Sequence, residues 1–267
     1  MPRNERRPLG VVPSTSAVFG RTPATEGKTM RALWVLGHPE ANSLNGRLRD
    51  VGVSALRDDG WDVVESDLYR DGFDPLLVIE GGVDVRREQD KLRDADLLVL
   101  QFPLWWYSMP AILKGWVDRV FEAGFAYDVI DPATGRARKY GDGGLAGKRA
   151  LAVVTAGDRP GSLEPRGISG TIEEVLWHLL HGTFWYTGMD ALPPHLVSLA
   201  RDVDEERMQR LEGDLAARLR GVMSEPRIPY RPLTEEHYDH GIRLLPHVAA
   251  GETELRAHQE SPPGAGV

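Results

Sequence analysis

The sequence contains no cysteine. Thiol nucleophiles, disulfide scaffolds and cysteine-ligated zinc are thereby excluded, and no metal centre is expected. Lysine is scarce: only five of the 32 basic residues are lysine, a bias that says more about a GC-rich coding sequence than about function. Positive charge is in deficit, with a formal net charge of −8 at pH 7. A nucleic-acid partner, whose phosphates need a basic face, is therefore not expected. No apolar run approaches the roughly 18 residues needed to cross a bilayer. Arg6 and Arg7 are followed by no apolar stretch, so the start does not read as a signal peptide, and the expected location is the cytoplasm.

What is present suffices for a sizeable core: 41% of the 267 residues are hydrophobic. Residues 1–29 are rich in Pro, Arg, Ser and Thr, show no period, and are expected to form a mobile extension. The tail at 252–267 has a similar character. Between them, apolar runs at 31–37, 62–67, 96–102 and 149–155, and an extended stretch at 189–199, read as strands. Helical spacing marks 45–59, 86–94, 110–121, 172–186 and 204–223, with Pro110 expected in the first turn of its helix. Five strands alternating with about five helices predict a single three-layer α/β domain around a parallel sheet. Right-handed crossovers then bring the loops after the strands to one edge, where ligands bind.

Three loops should converge there: 38–45, 103–109 and 156–170. Ser43 and Asn45 stand just ahead of a helix, where they can cap free N–H groups that also form an anion site. A plain helix cap is the competing reading, and His38 alone reads as a hydrogen-bonded loop histidine. The segment 37–44 lacks the glycine spacing of a dinucleotide fingerprint. The segment 141–148 only superficially matches a P-loop, because Asp142 and Arg149 stand where Gly and Ser/Thr are required; it reads as a surface connection. In the second loop Trp105, Trp106 and Tyr107 are consecutive. They cannot all enter one core, so at least one should face a cleft or a partner, and a flat aromatic ligand would stack there.

Residues 36–45 (Leu-Gly-His-Pro-Glu-Ala-Asn-Ser-Leu-Asn), 66–69 (Ser-Asp-Leu-Tyr) and 95–127, with Gln-Phe-Pro-Leu-Trp-Trp-Tyr-Ser-Met-Pro-Ala-Ile-Leu-Lys-Gly-Trp at its heart, strongly resemble NAD(P)H:quinone oxidoreductases of the DT-diaphorase type. The similarity covers about residues 30–232, including Leu176-Trp177 and 207–219. It implies a flavodoxin-like domain over 30–232 with strand order 2-1-3-4-5, a C-terminal extension at 233–267, and a homodimer. It also implies a bound FAD, with FMN as the alternative, and NAD(P)H as co-substrate. By match of motif, His38, Ser43, Leu44 and Asn45 would hold the pyrophosphate. The backbone of Pro103, Leu104, Trp105, Trp106 and Tyr107 would cradle the ring, Thr155, Ala156 and Gly157 would line its other side, and Arg207 would lie near the adenine. Trp106, Tyr127 and Tyr186 match aromatics, contributed across the dimer interface, that face a small flat aromatic acceptor, with plain interface packing the competing reading for Tyr127 and Tyr186.

The sequence departs from the family in one loop. A Tyr and a His there are thought to offset charge on the reduced flavin, and these positions are Leu163 and Ser169 here. No catalytic side chain is therefore assigned. The departure favours a dedicated acceptor, such as a biosynthetic intermediate, nitroaromatic or azo compound, beside the quinone reading. A flavin-holding regulatory subunit of a transport system is the third expectation.

Overall fold

The computed structural model describes residues 28–78 and 82–260. The expected N-terminal extension, but for its last two residues, and the last seven residues of the expected tail lie outside them. The strands are β1 (Arg31–Leu36), β2 (Asp62–Asp67), β3 (Leu97–Pro103), β4 (Arg149–Thr155), β5 (Asp190–Ala191) and β6 (His195–Val197). The helices are α1 (Leu44–Asp58), α2 (Val83–Asp94), α3 (Ala111–Val120), the short α4 (Ile172–Val175) and α5 (Trp177–Leu179), and α6 (Glu205–Arg220). The sheet is parallel in the order β2-β1-β3-β4-β5, with β6 also paired to β4. This is the doubly covered, flavodoxin-like α/β arrangement expected from the sequence.

The apolar runs are explained by the two faces. Every residue of β3 and β4 is buried, because alternate side chains enter different cores. Ala32, Trp34, Leu97, Val99, Leu151 and Val153 pack with Leu48, Val53 and Leu56 of α1 and Met208, Leu215 and Leu219 of α6. Leu33, Val35, Leu98, Leu100, Ala152 and Val154 face the other way, toward Leu92, Leu113, Trp116, Leu176, Leu180 and Phe184. A Cβ at Gly52 would stand 2.1 Å from the Trp34 ring; glycine there lets α1 lie close on the sheet.

Four expectations are corrected. Pro110 is the N-cap of α3, not a residue of its first turn; its ψ of 150° is extended. The predicted single helix at 172–186 is α4, α5 and a π-helical segment, Leu180–Trp185. There the Tyr186 N–H donates to the His181 carbonyl at 3.0 Å, and the wider turn aligns Leu180 with Trp185, five residues on, both buried. The predicted strand at 189–199 is divided into β5 and β6 around Pro193-Pro194, which offer no N–H for a ladder. Residues 252–260, expected to be mobile, instead fold back on the body. Arg231 N–H donates to the His258 carbonyl (2.9 Å) and Glu260 N–H to the Pro229 carbonyl (2.7 Å), with Ala257 buried.

Candidate active site

Register brings the strand ends together: Leu36 is level with Gln101, Pro103 with Thr155, and Thr155 with Val197. The loops that follow meet at one edge of the sheet. At the first, the Ser43 hydroxyl accepts from the Gly46 N–H (3.2 Å) and caps α1. His38 Nδ1 lies 3.1 Å from the Glu40 backbone nitrogen and 3.0 Å from the Glu40 carbonyl oxygen, so the Glu40 backbone engages this nitrogen and leaves Nε2 turned away from it. Ser43 Oγ, 3.1 Å from the same nitrogen, donates to the Glu40 carbonyl at 2.6 Å. The Leu44 and Asn45 N–H groups and His38 Nε2 have no partner among the described residues. A 15-residue helix thus presents free donors at its positive end.

Asn45 is buried, and its side chain crosses to β4, where Nδ2 donates to Thr155 Oγ1 at 2.9 Å. Gln101 Nε2 donates to the Asn45 carbonyl (2.7 Å), and Trp34 Nε1 to Gln101 Oε1 (2.8 Å). Gln101 was not singled out in the sequence, although one amide inside an apolar strand is the signal that marks it. The chain fixes the N-terminus of α1 against β3 and β4. Asn45 Oδ1 is left buried with no partner.

The second loop is a two-residue hairpin. Trp105 and Ser108 exchange backbone hydrogen bonds of 3.0 and 3.1 Å, and Trp106 and Tyr107 both take positive φ, 52° and 59°. Such a turn suits Asn and Gly, and two aromatics in it store strain of about 1–3 kcal/mol each. All three aromatics are exposed, Trp105 at 44%, Tyr107 at 48% and Trp106 at 96%. At least one was expected outside the core; none is inside it. The Trp105 ring lies 6.5 Å from that of His38. The Ser108 hydroxyl is 3.3 Å from His178 Nε2, and burial pushes the His178 imidazole below its usual value, with Lys114 acting the same way.

The third loop starts at Thr155, whose carbonyl accepts from the Leu104 N–H at 2.8 Å. The Ala156 N–H donates to Val197 (2.8 Å), while those of Gly157 and Asp158, like those of Trp106 and Tyr107, have no partner among the described residues. Leu163 lies in the core at 2% exposure. Ser169 Oγ reaches Tyr107 Oη at 3.2 Å. A fourth loop, at 198–202, was missed. The guanidinium of Arg207 donates to the carbonyls of Ser198, Leu199 (2.9 Å) and Asp202 (2.7 Å). Arg207 therefore holds this loop, which walls a pocket of about 250 Å³ lined by Leu44, Arg47, Ala200, Arg201, Val203 and Met208 among others. The pocket adjoins the free end of α1. No hydrogen bond or ring contact joins Tyr127 or Tyr186 to the hairpin among the described residues; Tyr186 packs edge-on against Tyr140 at 5.1 Å, and burial, with the charge of Asp128 next, raises its phenol pKa.

The edge combines uncommitted N–H donors at a helix start, an exposed aromatic turn, and further free N–H groups opposite. Such a set can receive a phosphate-bearing planar group: donors for the anion, an apolar face for the ring. The buried, unpartnered Asn45 Oδ1 beside it is an acceptor still to be satisfied.

The family described as flavodoxin-like fold matches residues 30–219. The ribosyldihydronicotinamide dehydrogenase-like protein traD of Penicillium crustosum is 38% identical over 235 residues, spanning 78% of this chain and 87% of that protein. NAD(P)H dehydrogenase (quinone) 1 of Rattus norvegicus is 35% identical over 229 residues, spanning 76% and 81%. A crystal structure from Klebsiella pneumoniae, described as a candidate quinone reductase, superposes with a TM-score of 0.82 at 33% identity, covering 87% of this chain and all of that one.

Proposed function

This chain belongs to the NAD(P)H:quinone oxidoreductase family, with its flavodoxin-like fold, and from that membership we propose that it moves reducing equivalents from NAD(P)H to a quinone or similar flat acceptor with the help of FAD. One observation carries the reading: the free N–H groups of Leu44 and Asn45 lie on the same edge as the Trp105–Ser108 hairpin, held there by the Asn45–Thr155 hydrogen bond.

The bound flavin supplies hydride acceptance and donation. The chain supplies position. Leu44 and Asn45 N–H, with His38 Nε2, would hold the pyrophosphate, and Ser43 keeps the helix start in shape for it. The hairpin backbone from Pro103 to Tyr107 and the turn from Thr155 to Gly157 would hold the ring between them. Free N–H groups at Trp106, Tyr107, Gly157 and Asp158 are donors of the kind that stabilise developing negative charge. The pocket beside Leu44 and Arg201 suits an adenine, which favours FAD over FMN, and Arg207 shapes that pocket through the loop it ties. Trp106, exposed at 96% with Ile168 equally exposed, supports a face for the acceptor and for a second copy of the chain, whose Tyr127 and Tyr186 would complete the site.

The absorbance of the purified protein, followed by chromatography of the released flavin, tests the cofactor; FAD is the expected product. A colourless protein that takes up no flavin would overturn the reading. Steady NAD(P)H oxidation with menadione tests the acceptor class. A narrower acceptor, the second reading, is favoured by Leu163, which is buried and carries no donor where the family has a tyrosine. Turnover with few acceptors and not with menadione would select it.

No helix among the described residues is long and apolar enough to cross a membrane.

A further inference from the structure

Tyr107 Oη and Ser169 Oγ lie 3.2 Å apart, one from the loop after β3 and the other from the loop after β4. Neither hydroxyl has another side-chain or backbone partner among the described residues. Two hydroxyls hold two protons, and the bond between them uses one. One O–H is therefore left to donate outward, whichever of the two makes the internal bond.

Both groups are held in place. The Trp105–Ser108 hairpin fixes Tyr107. Ser169 is set by its own N–H, which donates to the Ser162 carbonyl at 3.1 Å, and by the turn closed from Gly170 to Gly167, also 3.1 Å. Their chain neighbours, Trp106 and Ile168, are each 96% exposed. Each hydroxyl thus has a large, solvent-open apolar residue next to it in the chain, exposure that water disfavours and that marks a binding lip.

Resting on the oxidoreductase reading above, we propose that the Tyr107–Ser169 pair determines acceptor specificity: its free hydroxyl proton donates to an oxygen on the rim of the flat acceptor, while Trp106 and Ile168 cover the apolar faces. The ligand class is a planar ring carrying a carbonyl or hydroxyl at its edge. An apolar ring of the same outline meets the same faces and leaves the donor unmatched, which disfavours it.

The test compares 1,4-naphthoquinone with 1,4-dimethylnaphthalene, which has the same outline and no oxygen. Binding is followed by quenching of tryptophan fluorescence without NAD(P)H, and the absence of cysteine removes thiol addition to the quinone as a complication. The unsubstituted protein is expected to prefer the quinone about tenfold. The double substitution Tyr107→Phe with Ser169→Ala should bring the two probes to near-equal affinity, and Ser169→Thr, which keeps a hydroxyl, should preserve the preference. An unchanged preference in the double variant overturns the assignment. The flavin content of the unsubstituted protein is measured separately: a yellow protein with an unchanged preference refutes the hydroxyl pair alone, and a colourless one refutes the oxidoreductase reading beneath it.

Discussion

Asn45 Nδ2 donates to Thr155 Oγ1 at 2.9 Å, joining the first turn of α1 to the last residue of β4, 110 positions away. Both groups are buried, and the contact sets the distance between the anion-ready helix end and the turn at Gly157. Gln101 and Trp34 extend it through hydrogen bonds of 2.7 and 2.8 Å, so a local loosening would propagate along the chain of bonds.

Replacing Asn45 by alanine strands the Thr155 hydroxyl in the core. We expect a loss of about 1–2 kcal/mol and a melting temperature lower by about 3–6 °C. Flavin retained after desalting should fall several-fold. Thr155→Val should cost a comparable amount, and the two together less than their sum. Thermal melts and absorbance after gel filtration check this; additive losses would show that the two side chains act independently.

Trp106→Ala should weaken acceptor turnover by about tenfold or more while flavin retention changes little, since in the proposed arrangement the backbone of the turn, not this exposed ring, would hold the flavin. Steady-state kinetics with menadione and the flavin-to-protein absorbance ratio read the two effects separately. Equal loss of both would contradict the placement of the ring.

Arg207→Met removes three hydrogen bonds to the carbonyls of Ser198, Leu199 and Asp202. The loop at 198–202 should loosen, and with it the wall of the pocket between α1 and α6. Affinity for FAD is expected to drop about tenfold while affinity for FMN, which has no adenine, stays close to its starting value. Titration of the apoprotein with each flavin makes the comparison. A uniform loss would place the effect elsewhere.

His181 stacks on Trp177 at 4.4 Å. Burial, followed by the neighbouring charge of His258, pushes its pKa down to about 4. His195 is also pushed down to about 4, by burial first and Arg218 second. Both would titrate near 6.5 in the unfolded chain. On acidification the unfolded state therefore binds protons first. The stability from these neutral rings is complete above about pH 6.5 and is lost progressively as the pH falls toward about 4. Melting temperatures between about pH 7.5 and about pH 5 should decline by several degrees, and His181→Gln should flatten part of that slope. A melting temperature that holds constant over this interval would contradict the assignment.

The strands at 31–36, 62–67 and 149–155 were legible because each is a run of apolar or alternating residues whose burial follows directly from the layer order. The loops were legible through Ser43, Asn45 and the three aromatics, whose chemistry is local. The division of 172–186 was not, because a hydrophobic spacing near four does not distinguish an i−4 from an i−5 hydrogen bond; the difference lies in how Leu180 and Trp185 meet the core. Arg207 was placed near the adenine by resemblance, yet its three carbonyl partners arise from a loop fold that its sequence neighbours do not announce. The packing of 252–260 depends on Tyr230, Arg231 and His258 meeting across some 27 residues, a long-range pairing without a periodic signature. The pairing of Tyr107 with Ser169 likewise spans 62 positions.

The interruption at Pro193-Pro194 has a consequence for assembly. Where the sheet ends beyond β4, the described residues offer only a two-residue and a three-residue segment, with two prolines between them that donate nothing. The opposite margin, β2, carries Asp62 and Glu65 in ion pairs with Arg31, Arg49 and Arg57. Neither border is a template for strand addition, so copies of this molecule are steered away from fibre-like growth and toward contact through loops and helices.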